Sequence, residues 1–395
     1  MKRVSLIVIF LSAVLSASAC KEKKSVVKHN FAIDFLKESM AMCGDENLLV
    51  SPLSAEMALS LTANGARGET RREMLEMIGM TDSTLSVMNR YYGNLMTELP
   101  ERDDESVVKL ANAVWIDDKF KLSESFADSA RIFRAKVDAI DLQDPANARI
   151  LNKWVADNTE NLINNIVNER MFSPSLRMII ANAIYFKGLW QIKFDASMTT
   201  QKPFYKQNGE EVPVRMMRKT AHYRYIRPEK CNFQIACLDY KGGAYEMMVV
   251  LPDKGHQVET VLDELTAEHL TEWSDNAMSK NLRLELPSFE MRWGKSLNDC
   301  FKKMGMQRAF SGKADFSGMT DNERLNISDI SQFTYMNVDE DGTEAAAVTF
   351  VTLGVTAVRP QEVCPFVVDH PFLIFIRDKR SGAILFAGKI GNPAR

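Results

Sequence analysis

The chain has 395 residues, of which 46% are hydrophobic and 26% charged. This composition excludes a disordered tail protein, a collagen-like repeat and a polytopic membrane protein. Its 49 basic and 52 acidic residues give a net charge of −3, so no overall positive field exists to recruit nucleic acid. At roughly 150 residues per domain, the length predicts two or three domains or one large one.

Residues 1–19 are predicted to form a secretory signal peptide. Two basic residues, Lys2 and Arg3, precede an uncharged apolar run over residues 4–15. That run is too short to cross the hydrocarbon core of a bilayer, which is about 30 Å thick, and small residues follow it. A buried core helix is the weaker interpretation, because the run has no amphipathic pattern.

Cys20 leaves two interpretations of the processed N-terminus. Ala17 and Ala19 suit an ordinary leader peptidase, whereas a cysteine directly after small residues resembles the lipidation box of bacterial lipoproteins. We favour the second, in which Cys20 carries the lipid and residues 20–27 form a polar tether. The protein is then expected on a bacterial outer membrane or cell surface, held there by its lipid anchor. The alternative is a soluble periplasmic or extracellular protein.

Residues 28–395 are predicted to form a single domain, because no linker, low-complexity block or internal repeat interrupts them. The first part has helical features: Ser51 before Pro52 is typical of a helix start, and residues 145–167 have helical periodicity. From residue 178 the pattern changes, and the uncharged run 178–186 predicts a buried strand. Hairpin turns are predicted at residues 208–209, 241–243 and 378–382. Helices first and sheets later indicate an α+β protein.

The sequence carries none of the compact motifs of nucleotide-binding, serine-hydrolase or zinc-protease sites. The five histidines are scattered, and none has a partner at a spacing that indicates a catalytic pair. The five cysteines after Cys20 include no closely spaced pair, so they are predicted to be isolated buried thiols. We therefore expect neither a cofactor nor a metal, and no nucleic-acid partner.

Residues 340–362 fit neither an ordinary core strand nor a surface loop. No charged residue occurs over 345–358, and the second half is rich in β-branched residues, which favours an extended conformation. In an extended chain, positions 343, 345, 347 and 349 share one face, and each is Thr or Ala. A strand with such a face can enter between two existing strands without obstruction, and Gly342 gives it a flexible start.

These residues, together with others along the chain, resemble the serpin family. The likeness covers nearly all of the mature sequence, from about residue 30 to residue 393, and its blocks are specific as an ordered set. They are residues 47–54, 64–70, 180–190, 286–289, 304–306, 369–375 and 386–390. The resemblance implies an α+β serpin fold with three β-sheets, eight to nine helices and an exposed reactive-centre loop at about residues 340–362.

The resemblance also implies a function, which is inhibition of serine proteases as a suicide substrate and not enzymatic catalysis. A target protease attacks the loop, and the cleaved loop inserts into the main sheet, which traps the acyl-enzyme. The inserting hinge is expected to begin at Glu340. Its further members are Gly342, Thr343, Glu344, Ala345, Ala346, Ala347, Val348 and Thr349.

Counting along the loop as in the family places the reactive bond between Thr356 and Ala357. The bond between Val355 and Thr356, one residue earlier, is the alternative. Small or β-branched residues at the cut suit elastase-like proteases, with papain-like cysteine proteases as a further class. Arg359 would suit trypsin-like proteases, but Pro360 follows it and blocks most such cleavage.

The resemblance further implies a polar cluster under the opening sheet, formed by Ser51, Ser54, Asn182 and Gln332. It also places Trp190 at the top of the sheet, where the loop enters. The family often has a histidine where this chain has Gln332, so the pH-dependent charge of an imidazole is lost here.

A second departure from the family concerns the hinge salt bridge. The family often has a lysine, as the partner of Glu340, at the position that Ser288 occupies in this chain. The resemblance therefore leaves this salt bridge in question.

Two other functions stay open. The main alternative is a non-inhibitory serpin that acts as a carrier, a chaperone or a structural protein, although such relatives tend to carry bulky, charged or proline residues in the hinge. The third is a surface hydrolase, which the missing motifs disfavour. We expect a monomer.

Overall fold

The structure is a computed structural model that describes residues 30–164, 167, 169, 172, 176–320, 325–343 and 362–394. Nine α-helices lie within these residues: α1 Phe31–Cys43, α2 Pro52–Gly65, α3 Gly68–Met77, α4 Asp82–Glu98, α5 Glu124–Ile132, α6 Ala148–Asn158, α7 Val258–Leu262, α8 Ala267–Asn276 and α9 Asn298–Lys303. The strands of the same residues are β1 Leu48–Val50, β2 Ser106–Asp117, β3 Lys136–Ile140, β4 Met178–Leu189, β5 Thr200–Tyr205, β6 Glu211–Ile226, β7 Phe233–Asp239, β8 Tyr245–Pro252, β9 Met278–Pro287, β10 Phe289–Ser296, β11 Asp329–Val338, β12 Gly342–Thr343, β13 Cys364–Val367, β14 Phe372–Asp378 and β15 Ile384–Ile390.

The strands form two hydrogen-bonded sheets. A six-stranded sheet has the order β10-β11-β12-β4-β2-β3. A nine-stranded sheet has the order β1-β15-β14-β8-β7-β6-β9-β13, with β5 added at β6. The long strand β6 belongs to both halves of the larger sheet, because it pairs with β5 and β9 along most of its length and with β7 only over its last three residues. The resemblance implies three sheets, whereas hydrogen bonding joins the described strands into two, because the last residues of β6 connect the two halves of the larger sheet.

Helix α2 is the central helix of the fold and packs between the two sheets, against β15 and β4. All of its residues except Glu56 and Asn64 are buried, as expected for a helix that is enclosed on every side. Ser51 caps its N-terminus by accepting a hydrogen bond from the Ser54 amide at 3.3 Å. The predicted helix start is therefore confirmed.

Helix α6 covers the opposite face of the six-stranded sheet. Because side chains alternate along a strand, β2 and β4 supply one set of apolar residues to the main core and another to a smaller core under α6. Trp154 of α6 meets Trp115 of β2 edge to face at 5.2 Å between ring centroids. The six-stranded sheet is thus packed on both sides.

The predicted helix over residues 145–167 is wrong at its C-terminal end, since α6 ends at Asn158. Beyond it, Glu160 and Asn161 have positive φ angles of 50° and 61°, a left-handed conformation that stops a right-handed helix. The Thr159 hydroxyl also donates a hydrogen bond to the Val155 carbonyl at 2.8 Å, which competes with continuation of the helix. Local hydrogen bonding and backbone conformation override the periodicity here.

The predicted strand and hairpins are confirmed. The run from residue 178 forms β4, and the three predicted turns join β5 to β6, β7 to β8 and β14 to β15. Glycine supplies the positive φ that these turns require, as at Gly209 with 83° and Gly242 with 91°.

Glu56 gives a pH-dependent contribution to stability. Burial raises the pKa of its carboxyl to about 7, although the Tyr92 hydroxyl donates a hydrogen bond to it at 3.1 Å. The folded state therefore keeps a proton that the unfolded chain releases near pH 4.5, so stability falls as the pH rises through this range. We expect the free energy of unfolding to fall by on the order of 2 kcal/mol between pH 5 and pH 8 from this group.

Urea unfolding at several pH values measures this loss. E56Q cannot ionise and should remove it, and the variant should be more stable than the wild type at pH 8. Glu101→Gln, at an exposed position, is the matched control. Identical pH profiles for the wild type and E56Q would contradict the assignment.

Candidate functional site

The six-stranded sheet is partly split between β4 and β11. The lower parts of these two strands pair in parallel, from Asp329 with Ile179 to Phe333 with Ala183. At the top, β12 lies between them, where Thr343 pairs with Gly188 and with Val338. Between the lower pairs and β12, the facing edges of β4 and β11 lack a common register. We call the space between β4 and β11, which is one strand wide and which β12 occupies at the top, the slot.

The hinge enters the slot through two residues that fit it closely. A Cβ atom on Gly342 would lie 2.1 Å from the backbone oxygen of Gly188, so only glycine allows this approach to β4. The Thr343 side chain is 1% exposed, and its Oγ1 lies 2.6 Å from the hydroxyl oxygen of Tyr240. Burial raises the pKa of Tyr240 well above its usual range, so this hydroxyl keeps its proton at physiological pH. Tyr240 in turn stacks on Trp190 at 4.7 Å.

The turn Asp339–Asp341, here called the hinge turn, is held by the connector between β4 and β5. Its three carbonyl oxygens all accept hydrogen bonds from that connector. The Trp190 indole donates to the Asp339 oxygen at 2.9 Å, the Phe194 amide to Glu340 at 3.0 Å, and the Trp190 amide to Asp341 at 2.8 Å. Trp190 therefore lies where the loop enters the sheet and fixes the turn from which the loop starts.

The Glu340 carboxylate also has an ionic partner. Its Oε1 accepts hydrogen bonds from Arg215 of β6 at 2.9 Å and from the Thr199 hydroxyl at 2.8 Å. A second ion pair, between Lys193 and Asp341 at 2.9 Å, lies on the same turn. The hinge thus has a salt bridge although Ser288 replaces the lysine that the family often has.

The lower polar cluster consists of Ser51, Ser54, Asn182 and Gln332, which lie where β4 and β11 still pair. Gln332 binds the backbone of Ser51 at both ends of its amide, accepting from the Ser51 nitrogen at 2.7 Å and donating to its oxygen at 2.9 Å. Asn182 is the register partner of Gln332, but it donates to Asn112 of β2 at 2.9 Å. The two register partners therefore bind different neighbours and not each other.

These hydrogen bonds bear on how β4 and β11 could separate further. Gln332 is bound to the backbone of Ser51 and Asn182 to the side chain of Asn112. Separation of β4 from β11 would therefore break the backbone hydrogen bonds of the parallel ladder and leave these side-chain hydrogen bonds intact. Two buried atoms, Ser54 Oγ and Asn182 Oδ1, find no hydrogen-bond partner among the described residues.

Several residues of this site were not predicted from the sequence. Tyr240 and Thr199 contact the hinge from other parts of the chain, and Asn112 contacts the lower polar cluster. Arg215 is a further case. None of them belongs to a local motif, and only the strand register brings them to the slot.

The remaining predicted site residues lie outside the described residues. These are the hinge positions Glu344, Ala345, Ala346, Ala347, Val348 and Thr349, the reactive-bond residues Val355, Thr356 and Ala357, and the lipidation site Cys20. The structure describes the two ends of the loop, at Thr343 on β12 and at Glu362 before β13.

The described residues contain no group of three or more His, Cys, Asp or Glu side chains that could hold a metal ion. The five cysteines within the described residues are free; three of them are buried, and Cys231 and Cys364 are half-buried. In the described part of the chain, no helix has the length and apolar character needed to cross a membrane.

Comparison with known proteins identifies the family. Residues 27–393 match the profile of the serpin (serine protease inhibitor) family. The chain is 28% identical to human serpin I2 over 98% of its length and 95% of that protein. It is 33% identical to a serpin-like protein of Thermococcus kodakarensis over 94% of its length and 87% of that protein.

Solved structures agree. The thermophilic serpin tengpin in its native state has a TM-score of 0.84 at 29% identity, over 92% of both chains. A thyroxine-binding globulin in complex with thyroxine also has a TM-score of 0.84, at 26% identity, over 93% of this chain and 98% of that one. The chain therefore belongs to the serpin family and has the serpin fold, as its sequence predicts. Serpins in general are protease inhibitors and not enzymes.

Gln332 should stabilise the closed sheet through its two bonds to Ser51. Q332A removes the Gln332 acceptor of the buried Ser51 amide and one of the two donors to the Ser51 carbonyl, which keeps the Ala55 amide. The unsatisfied amide costs about 1–3 kcal/mol of unfolding free energy. Thermal unfolding measures this loss, and Gln307→Ala, which truncates an exposed glutamine, is the control. Q332A with an unchanged midpoint would show that these bonds contribute nothing.

Proposed function

We propose that this protein is a suicide-substrate inhibitor of serine proteases, with elastase-like enzymes preferred and papain-like cysteine proteases as a further class. One observation carries the proposal. Two residues of the hinge, Gly342 and Thr343, already lie between β4 and β11 as strand β12. An inserting loop would extend this strand.

The chemistry is supplied by the target enzyme. Its nucleophile attacks the carbonyl of Thr356, the bond to the Ala357 nitrogen breaks, and the protease remains attached to Thr356 through an ester. Cleavage separates the part of the loop before Ala357 from the part that leads to β13. It can continue from Thr343 down the slot, pairing with β4 on one side and β11 on the other.

Insertion is favourable because the loop completes an interrupted sheet. Backbone groups along the facing edges of β4 and β11 gain ladder partners, and the small residues at positions 345 and 347 enter without obstruction. The attached protease travels with the loop, which distorts its active site before the ester is hydrolysed. The inhibitor is consumed in this reaction, which agrees with a chain that carries no catalytic motif.

The residues around the reactive bond support the elastase-like class. Val355, Thr356 and Ala357 are small or β-branched, and narrow specificity pockets accept such side chains. Cleavage after Arg359 by a trypsin-like protease is disfavoured by Pro360, which follows it. The alternative bond between Val355 and Thr356 suits the same class of protease.

The site of action follows from the N-terminus. We propose that residues 1–19 are removed, that Cys20 carries the lipid, and that residues 20–27 connect the anchor to a monomeric domain of residues 28–395. The inhibitor would then face proteases at a bacterial surface. A soluble periplasmic or extracellular form remains the alternative.

A carrier function is the second candidate, and the likeness to thyroxine-binding globulin favours it. The two functions differ in the fate of the loop. An inhibitor gains a strand after loop cleavage, so its melting temperature should rise strongly. A carrier or other non-inhibitory serpin whose loop does not insert should show an unchanged melting temperature.

Incubation with an elastase-like protease tests the proposal directly. We expect a covalent complex that survives SDS, together with a released fragment that mass spectrometry identifies as residues 357–395. A fragment beginning at Thr356 would assign the alternative bond. Cleavage of the loop with continued turnover by every protease tested, and no complex, would refute the inhibitory function.

Thr343 should be critical for trapping because its side chain is fully enclosed beside Tyr240. T343R places a long charged side chain where burial is required, so insertion should slow and the protein should become a substrate. T343S keeps the hydroxyl and is the matched control. The ratio of complex to cleaved inhibitor on a denaturing gel measures the effect, and an unchanged ratio in T343R would argue against insertion along this slot.

A further inference from the structure

Arg215 is the only cation among the described residues that contacts the Glu340 carboxylate. Its Nη2 lies 2.9 Å from Glu340 Oε1, and the Thr199 hydroxyl donates to the same oxygen at 2.8 Å. The two side chains differ in exposure, at 14% for Glu340 and 67% for Arg215. The carboxylate is thus largely enclosed, while the guanidinium that neutralises it is open to solvent.

The backbone of Arg215 is fixed from two sides. It pairs with Gln201 in the β5–β6 ladder, and its carbonyl accepts a hydrogen bond from the Ser288 amide at 2.9 Å. Ser288 occupies the position where the family often has a lysine. In this chain it does not supply the cation, but it holds the strand that supplies it.

We propose that Arg215 is the positioning residue that holds the hinge turn in place for loop insertion. The ion pair of the hinge then connects it to the nine-stranded sheet, to which Arg215 belongs. The inference rests on the proposed function and specifies how its hinge is controlled. The hinge turn must remain between β11 and β12 for the loop to continue down the slot. Its carbonyls are bound by the connector after β4, and its Glu340 side chain depends on Arg215 and Thr199.

Loss of the cation has a physical consequence for the turn. A largely enclosed carboxylate that keeps only one hydroxyl partner is poorly solvated, and it gains hydration by moving outward. Outward movement of Glu340 would carry Gly342 and Thr343 out of the slot. The protein's own loop would then insert more slowly, while the emptied slot would accept a foreign strand more readily.

The expected effects are moderate because Arg215 is exposed. Exposed ion pairs change an equilibrium by about two- to fivefold, and salt screens them. R215A should therefore raise the number of inhibitor molecules consumed per protease trapped by about that factor. Uptake of a synthetic peptide of residues 343–356 into the slot should accelerate similarly.

The experiment compares the wild type with R215A, R215K and E340Q, the double variant R215A/E340Q and the control Arg218→Ala, which removes an exposed cation of the same strand. Stoichiometry is measured with an elastase-like protease, and peptide uptake is measured without any protease. Sodium chloride from 0.05 to 0.5 M should accelerate peptide uptake by the wild type and leave R215A unchanged. R215K should restore much of the wild-type behaviour.

Three results would overturn the proposal: R215A that behaves like Arg218→Ala, an R215A effect that persists undiminished in E340Q, or equal salt dependence in the wild type and R215A. General destabilisation would not remove the salt dependence selectively. If the wild type forms no covalent complex, the inhibitory function fails, yet peptide uptake still decides whether Arg215 controls the hinge turn.

Discussion

The backbone fit between β12 and β4 is the constraint on which the functional part of this structure depends. Gly342 lies so close to the Gly188 carbonyl that no side chain can be accommodated. Directly after it, Thr343 is buried against Tyr240. Two residues are thus sufficient to separate β4 from β11 at the top and to define a slot of one strand's width. The proposed insertion of the loop would extend β12 from this contact.

The same region explains how the sheet can be stable and still open. Above, the hinge turn is bound by every one of its carbonyl oxygens and by two ion pairs. Below, β4 and β11 pair through backbone bonds, while Gln332 and Asn182 bind to opposite sides. If the sheet opens as proposed, the parallel ladder between β4 and β11 has to break, while the hydrogen bonds of Gln332 to Ser51 and of Asn182 to Asn112 can persist.

A histidine at position 332 would make this junction sensitive to pH, because a buried imidazole must lose or gain a proton in the physiological range. The amide of Gln332 has no such transition. Glu56, further along α2, is a different source of pH dependence, since its pKa of about 7 comes from burial. The pH response of this protein is thus expected from the centre of α2 and not from the junction of the sheet.

The sequence by itself determined the family, the α+β class and the hairpins, and it pointed to the segment that we propose as the reactive-centre loop. These features are local: glycines at turns, an uncharged strand at β4, and a row of small residues in the hinge. Blocks that resemble serpins also pointed to Trp190 and to the lower polar cluster, whose functional roles stay predictions. The sequence failed where local hydrogen bonds ended α6 early, because periodicity continued past the point where Glu160 and Asn161 adopt left-handed conformations.

Only the tertiary structure decided which partners these residues have. The ionic partner of Glu340 is 125 positions away in the sequence, and β6 brings it there through pairing with β5 and β9. Chain length alone is compatible with two or three domains or with one large one, since it takes no account of strands from distant segments that share one sheet. Register between strands is a long-range property, and pairwise contacts such as those of Arg215 and Tyr240 follow from it.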